Sequence, residues 1–99
     1  MSVDRGLLVI LEAKPDKAEE LAAFLAQAQP LAAAEPGTVT WYAFKISDTT
    51  YGIFDTFNGE DGRQAHLNGP IAAALGGQAA SDMLAKDPEI QTTDILAVK

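Results

Sequence analysis

Glu35-Pro36-Gly37-Thr38-Val39-Thr40-Trp41-Tyr42 joins a helical pattern to a strand pattern, and this junction sets the order of the elements on either side. Pro36-Gly37 ends a helical pattern, and Thr38 to Ser47 is rich in β-branched and aromatic residues, which is typical of a strand. Asp48-Thr49-Thr50 predicts a turn, and Tyr51 to Phe57 predicts the antiparallel partner. The centre of the chain therefore predicts a β-hairpin that follows a helix.

The segment before the hairpin predicts a strand and an amphipathic helix. Leu7 to Ala13 is a short β-rich run, and Lys14-Pro15-Asp16 is suited to the opening turn of a helix. Apolar residues then recur at helical spacing: Leu21, Phe24, Leu25, Ala28 and Ala32. Pro30 falls inside this pattern and removes a backbone hydrogen bond, so we expect a kink or an irregular last turn.

The segment after the hairpin predicts a second helical region and a last strand. Asn58 is suited to the N-cap of a helix that runs through Leu67, and Asn68-Gly69 is suited to its end. Pro70 opens a further helix that is weakened at Gly76-Gly77 and continues to Lys86. A final strand is expected near Ile90 to Val98. The whole order predicts one domain over residues 1–99, an α+β ferredoxin-like βαββαβ unit with helices on one face of an antiparallel sheet.

The hairpin carries large apolar side chains on both faces. Alternation places Val39, Trp41, Ala43 and Lys45 on one face of the second strand, and Thr38, Thr40, Tyr42, Phe44 and Ile46 on the other. The helices cover only one of these faces. We therefore expect a homodimer that packs sheet on sheet, with the last strand exchanging between subunits.

Composition excludes several classes of function. The 99 residues carry a formal net charge of −7 and no cysteine. No basic cluster offers a patch for nucleic acid, and no disulfide or thiolate metal site can form. One histidine and scattered carboxylates give no ligand spacing for a metal. The apolar run Gly6 to Leu11 is too short to span a membrane, so we expect the first strand of a cytoplasmic protein.

Four short motifs occur in a fixed order along the chain. They are Ala13-Lys14-Pro15 with Lys17 after the first strand, Glu35-Pro36-Gly37 before the second, Asp55 and Phe57 on the third, and His66-Leu67 with Pro70 beyond. In this order and spacing the chain resembles the antibiotic biosynthesis monooxygenase superfamily. The resemblance covers nearly the whole chain and implies a dimeric α+β barrel built from this unit.

The resemblance also implies an activity, namely cofactor-independent oxidation of a small phenol or quinol by oxygen. It assigns His66 as the catalytic base, Asp55 as the acid that orients or charge-balances it, and Trp41 as a stacking platform. Phe57, Tyr51 and Tyr42 join Trp41 as substrate-binding candidates for an aromatic or quinone-like ligand. Haem degraders of this superfamily carry an asparagine near the position of Val9, and His66 is the sole imidazole, which disfavours a haem.

Other members of the superfamily suggest two alternatives, a non-oxidative isomerase of a small metabolite and a non-catalytic dimer that binds small molecules. Each candidate residue also has a purely structural interpretation. His66 is then a histidine with satisfied hydrogen bonds, Trp41 packs in the core or at the dimer interface, and Asp55 forms an ion pair with a nearby Lys or Arg.

Overall fold

The computed structural model describes residues 2–99 and contains one four-stranded antiparallel sheet. The strands are β1 (Arg5–Glu12), β2 (Thr38–Lys45), β3 (Thr50–Phe57) and β4 (Glu89–Asp94), in the order β2-β3-β1-β4. A short 3-10 turn (Pro15–Lys17) leads into the helices, which are α1 (Ala18–Gln27), α2 (Gln29–Ala33), α3 (Glu60–Leu67), α4 (Pro70–Leu75) and α5 (Gln78–Met83). Strand order and helix placement confirm the ferredoxin-like α+β fold.

The core lies between one face of this sheet and the helices. Leu7, Val9 and Leu11 alternate along β1 with partly exposed residues, and all three are buried. Leu21 and Leu25, one turn apart on α1, pack on the same cluster. Each such side chain contributes about 1.5–3 kcal/mol through the burial of apolar surface. The periodicity that predicted these elements is therefore the pattern of the core itself.

The helical region before β2 is interrupted near Pro30, as predicted. α1 ends at Gln27, Ala28 links the two helices, and Pro30 lies in the first turn of α2. Proline is tolerated there because the first amides of a helix have no partner within the helix.

Three boundaries predicted for the segment after β3 are wrong. Asn58 does not cap α3, because the helix begins at Glu60 after Gly59, whose φ of 108° is favourable only for glycine. The helix predicted from Pro70 to Lys86 is two helices, α4 and α5, separated at Gly76-Gly77, where two glycines in succession disfavour helical continuation. The last strand ends at Asp94 rather than at Val98.

The hairpin is also slightly shorter than predicted. β2 ends at Lys45 instead of Ser47, because the amides of Ile46 and Ser47 both donate to the carbonyl of Thr50, at 2.8 and 3.2 Å. These two hydrogen bonds form the turn, so the pairing of β2 with β3 ends at Lys45.

No helix among residues 2–99 lies over the second face of the sheet, which we call the open face. Its apolar residues are Leu8, Ile10, Tyr42, Phe44 and Phe54. Tyr42 is 61% exposed and Phe44 37%. β4 pairs with β1 within the same chain, so the pairing of this last strand needs no second subunit.

No helix among residues 2–99 is long and apolar enough to cross a membrane.

A contact between two glycines determines how closely α3 approaches the turn before β2. A Cβ added at Gly62 would lie 2.8 Å from the carbonyl oxygen of Gly37, and one added at Gly37 would lie 3.0 Å from the Cα of Gly62. Both obstacles are backbone atoms, which cannot rotate away. The absence of side chains at these positions therefore brings the Glu35-Pro36-Gly37 turn against α3.

Overpacking in Gly62→Ala costs about 1–3 kcal/mol. A gain in helix propensity of about 1 kcal/mol offsets part of this cost, so we expect the free energy of unfolding to fall by up to about 2 kcal/mol. Gly76→Ala is the matched control, because its nearest neighbours, at 3.7 and 3.8 Å, are in ordinary contact. Urea unfolding of both variants tests the contact, and a Gly62→Ala protein as stable as the Gly76→Ala protein would contradict it.

Candidate functional site

His66 is buried near the end of α3. It lies three residues after Arg63, so both side chains are on the helix face that packs against the sheet. Only 6% of His66 is exposed. Its ring packs at a tilt of 45° against Phe57, with 5.5 Å between the ring centroids.

Two carboxylates flank the imidazole ring. The Nδ1 atom donates to Oε1 of Glu35 at 2.6 Å, and Nε2 lies 2.9 Å from Oδ2 of Asp55. Asp55 is fully buried in β3, on the face that carries the core, whereas Glu35 lies just before β2. We call Glu35, His66 and Asp55 the triad. It joins three separate segments of the chain.

Glu35 is held in place by its own turn. The hydroxyl of Thr38 donates to the same Oε1 atom at 2.8 Å. The sequence motif identified Glu35 only as part of a turn and did not predict a contact with His66. A signal was nevertheless present: the start of β2 pairs with the end of β3, and α3 follows β3 directly, so all three meet at one end of the sheet.

The triad is charged at neutral pH. Burial lowers the pKa of His66, but the contacts with Asp55 and Glu35 together raise it more, to about 9. Both ring nitrogens then carry protons, and the ring is an imidazolium between two carboxylates. The contact with Asp55 is an ion pair without the alignment of a hydrogen bond, and neither oxygen of Asp55 has a hydrogen-bond partner among residues 2–99.

This charge state changes what His66 can do. A protonated ring cannot accept a proton directly, so proton uptake has to use the carboxylates or follow a proton shift within the triad. With one positive and two negative groups the triad carries a net charge of −1, and one added proton makes it neutral. The arrangement is suited to taking up and sharing one proton.

Trp41 lies beside the triad on β2. It pairs across the sheet with Asp55, so the two side chains share the face that carries the helices. Trp41 and Thr38 also line a cavity of about 250 Å³, which we call the Trp41 cavity. Its other lining residues are Gln29, Ala32, Ala33, Val39 and Thr40. The indole Nε1 is buried without a partner in the described part of the chain.

Thr38 connects the cavity to the triad. It lines the Trp41 cavity, and its hydroxyl donates to Glu35. Neither His66 nor Asp55 lines this cavity. A molecule in the Trp41 cavity would therefore contact Thr38, which is hydrogen-bonded to Glu35 of the triad.

The structure brings some of the predicted site residues together and separates others. His66, Asp55, Phe57 and Trp41 lie at one end of the sheet. Tyr51 pairs with Lys45 near the other end of β2 and lines a different cavity. Tyr42 is on the open face, opposite to the triad. The aromatic set that the resemblance implied is thus divided among three places.

Arg63 is buried on α3 and carries a charged group into the interior. Its Nη1 donates to the carbonyls of Gly6 and Thr93, at 3.2 and 3.0 Å, and its Nε donates to Glu60 at 2.9 Å. It therefore ties α3 to β1 and β4 and helps fix the helix that carries His66. Within residues 2–99, no group of three His, Asp or Glu side chains is placed to hold a metal ion.

The α+β fold of the chain is that of the antibiotic biosynthesis monooxygenase superfamily. A proposed antibiotic biosynthesis monooxygenase from Caulobacter crescentus superposes with a TM-score of 0.78 at 23% identity, over 96% of this chain and 92% of that one. Another, from Nitrosomonas europaea, gives a TM-score of 0.80 at 16% identity, over 94% and 90% of the two chains.

A nearer relative places the chain in a family. A protein of unknown function from Nitrosomonas europaea is 52% identical, with a TM-score of 0.93 over 98% of this chain and 93% of that one. The chain belongs to the family of this Nitrosomonas protein. No family model and no curated protein matches it.

Proposed function

We propose that the protein is a cofactor-independent monooxygenase that binds a small phenol or quinol in the Trp41 cavity and oxidises it with molecular oxygen. The observation that carries this proposal is the position of Thr38, which both lines the cavity and donates to a carboxylate of the triad. The superfamily fold supports the same reaction class.

The triad supplies the proton acceptor in this proposal. Removal of the phenolic proton makes the ring electron-rich, so the substrate itself can deliver electrons to oxygen. Glu35 accepts the proton. The negative charge of the Glu35 carboxylate is shared with Asp55 through the His66 imidazolium.

Trp41 and Phe57 have different roles in this proposal. Trp41 lines the cavity, and its indole ring offers a flat surface for an aromatic substrate. Phe57 is fully buried against the His66 ring, so it positions the imidazole and does not touch the substrate. The cavity of about 250 Å³ is suited to one or two fused rings rather than to a large polycyclic molecule.

Oxygen uptake by chelator-treated protein tests the proposal directly. We expect uptake with hydroquinones or naphthols and a decrease of about 10²-fold or more in His66→Gln, as for the loss of a general acid–base group. Thr38→Val keeps the shape of the side chain but removes the hydroxyl, and we expect it to decrease the rate as well. Gln27→Glu, exposed on α1, is a matched surface control and should leave the rate unchanged.

The outcomes separate the alternatives. Uptake that is equal in wild type and His66→Gln would contradict the role of the triad. Turnover of a substrate without oxygen would instead favour the isomerase. Binding in the cavity without turnover of any compound, with and without His66, would favour the non-catalytic module.

We also propose that the open face is covered by a second copy of the chain in a homodimer. The proposal is supported by five partly exposed apolar residues on this face and by the segment 95–99, in which Leu96 is 95% and Val98 66% exposed. A sheet face of this kind is buried in sheet-on-sheet packing. Strand exchange would then involve residues 95–99, since β4 already pairs with β1 in its own chain.

Tyr42→Glu is expected to convert a dimer at micromolar concentration into a monomer, because it places a charge in the centre of the open face. Light scattering with size-exclusion chromatography measures the change, and Gln27→Glu again serves as the control. Deletion of residues 95–99 tests strand exchange separately. A truncated protein that remains a stable dimer would refute the exchange but not the packing of the two sheets.

A further inference from the structure

We propose that Gly69 is a positioning residue of the triad, because the absence of a side chain there leaves room for the Glu35 carboxylate to reach His66. Gly69 lies between α3 and α4 and does not line the Trp41 cavity. Its role in catalysis rests on the proposed function, whereas its effect on the triad can be measured without a substrate.

The backbone of Gly69 does not require glycine. Its φ of −95° and ψ of −176° are extended values that any residue adopts. Gly69 is the N-cap residue of α4, a position where serine, asparagine or aspartate stabilises a helix more than glycine does. Neither the backbone conformation nor the start of the helix therefore explains a glycine at this position.

The space beside Gly69 is occupied by the Glu35 carboxylate. A Cβ added at Gly69 would lie 3.1 Å from Oε2 of Glu35, and 3.2 and 3.3 Å from the carbonyl oxygens of His66 and Ala65. All three distances are shorter than an ordinary van der Waals contact. The two carbonyl oxygens belong to the backbone of α3 and cannot rotate away, so the Glu35 carboxylate is the neighbour that would have to move.

Gly69 itself is held on both sides. Its amide donates to the carbonyl of His66 at 3.0 Å, and its carbonyl accepts from the amide of Ala73 at 3.1 Å. The first hydrogen bond attaches Gly69 to the end of α3, and the second attaches it to the first turn of α4. A methyl group at this position therefore cannot retreat from Glu35 unless one of these bonds breaks.

The two carboxylate oxygens of Glu35 are held in different ways. Oε1 accepts from Thr38 at 2.8 Å and from Nδ1 of His66 at 2.6 Å. Oε2 is buried without a hydrogen-bond partner among residues 2–99, so its position depends on packing, of which Gly69 is a part. The contact of Oε1 with His66 is already at the short end of the range for a charged hydrogen bond, so a displacement of the carboxylate can only lengthen it.

The substitution Gly69→Ala is expected to lower the pKa of His66. Burial lowers this pKa, and the two carboxylates that face the ring, Asp55 and Glu35, raise it. Arg63, one turn earlier on α3, directs its guanidinium to a carboxylate of its own helix and to carbonyls of β1 and β4. The added methyl group displaces Glu35 alone. We expect a fall of about 0.5 unit or more, which is part of the 1–3 units that an opposite charge in contact contributes.

An NMR titration of the His66 ring in Gly69→Ala tests the proposal. Gly77→Ala is the matched control, because Gly77 is also an extended N-cap residue, with φ of −87° and ψ of 174°. The nearest atoms to a Cβ at Gly77 are carbonyl oxygens of α4, at 3.3 and 3.5 Å. We expect the pKa of His66 to fall in Gly69→Ala and to keep its wild-type value in Gly77→Ala. Equal pKa values in the two variants would overturn the proposal.

A Glu35→Gln background shows whether the effect passes through the carboxylate. Glutamine keeps the shape of the side chain but loses its charge, so Gly69→Ala should then change the pKa of His66 by less than about 0.2 unit. A fall as large as in the wild-type background would overturn the proposal.

Gly69→Ser keeps the test decisive if Gly69→Ala does not fold, because serine adds the same Cβ and is favourable at an N-cap. We expect the pKa of His66 to fall in this variant as well, since the added hydroxyl can donate to Glu35 and reduce its charge at the ring. A pKa equal to that of wild type would again overturn the proposal.

The effect on catalysis is measured separately by oxygen uptake. We expect kcat to fall about threefold or more in Gly69→Ala while KM stays near its wild-type value, because Gly69 does not line the cavity. An increase in KM with an unchanged kcat would contradict a positioning role. A wild-type protein without oxygenase activity would refute the proposed function, whereas the titrations would still decide the role of Gly69.

Discussion

Replacement of His66 by alanine is expected to lower the free energy of unfolding by about 3–5 kcal/mol, the range found when one partner of a buried ion pair is removed. The reason is that Asp55 and Glu35 would face each other without the cation that now lies between them, at 2.9 and 2.6 Å. Asp55 is fully buried and cannot recover its hydration without local opening of the sheet. Urea unfolding at neutral pH measures the effect.

Two further variants identify the cause. His66→Gln keeps much of the volume but loses the charge, so a loss of stability close to that of His66→Ala would assign the effect to charge rather than to a cavity. Gln64→Ala is exposed on the same helix and should change stability by about 0.5 kcal/mol or less. If His66→Ala were no more destabilising than Gln64→Ala, the triad would not be an energetically coupled unit.

The stability of the wild-type protein is expected to fall as the pH rises from about 6.5 to about 9. Burial lowers the pKa of His66, but Asp55 and Glu35 raise it to about 9 in the folded protein, compared with about 6.5 in an unfolded chain. The folded state therefore binds this proton more tightly. The resulting contribution to stability is complete below about pH 6.5 and is lost as the pH rises through about 9.

The slope of this decrease gives the number of protons involved. One group contributes at most about 1.4 kcal/mol per pH unit. His66→Gln should remove the contribution of His66 to this slope, because a glutamine side chain does not titrate. Urea unfolding of both proteins at a series of pH values tests the linkage, and parallel curves for wild type and variant would refute it.

The fold could be predicted from the sequence because its elements follow simple periodicities. The alternation in Leu7, Val9 and Leu11 and the helical spacing of Leu21 and Leu25 are the same patterns that form the core. Helix ends were less predictable, since they depend on backbone conformation. Gly59 adopts a φ of 108° and starts α3 after the residue that the sequence suggested.

The candidate site could be predicted only in part. The motifs identified His66 and Asp55 as candidates. Glu35 was not predicted to contact His66, because it is 31 residues away in the chain and the contact depends on the close approach of Gly37 and Gly62. The charge of His66 could not be derived from residue types, because it results from the balance between burial and two short contacts. The position of Tyr42 could be predicted, because side chains alternate along β2 and Tyr42 lies on the face opposite to Trp41.

An NMR titration of the His66 ring shows whether it is an imidazolium held between Glu35 and Asp55. The chain has one histidine, so the imidazole signals are unambiguous. We predict that the ring remains protonated through neutral pH and titrates near 9, with both ring N–H groups protected. A ring that titrates at or below about 6.5, the pKa of a free histidine, would show that His66 is not an imidazolium stabilised by the two carboxylates.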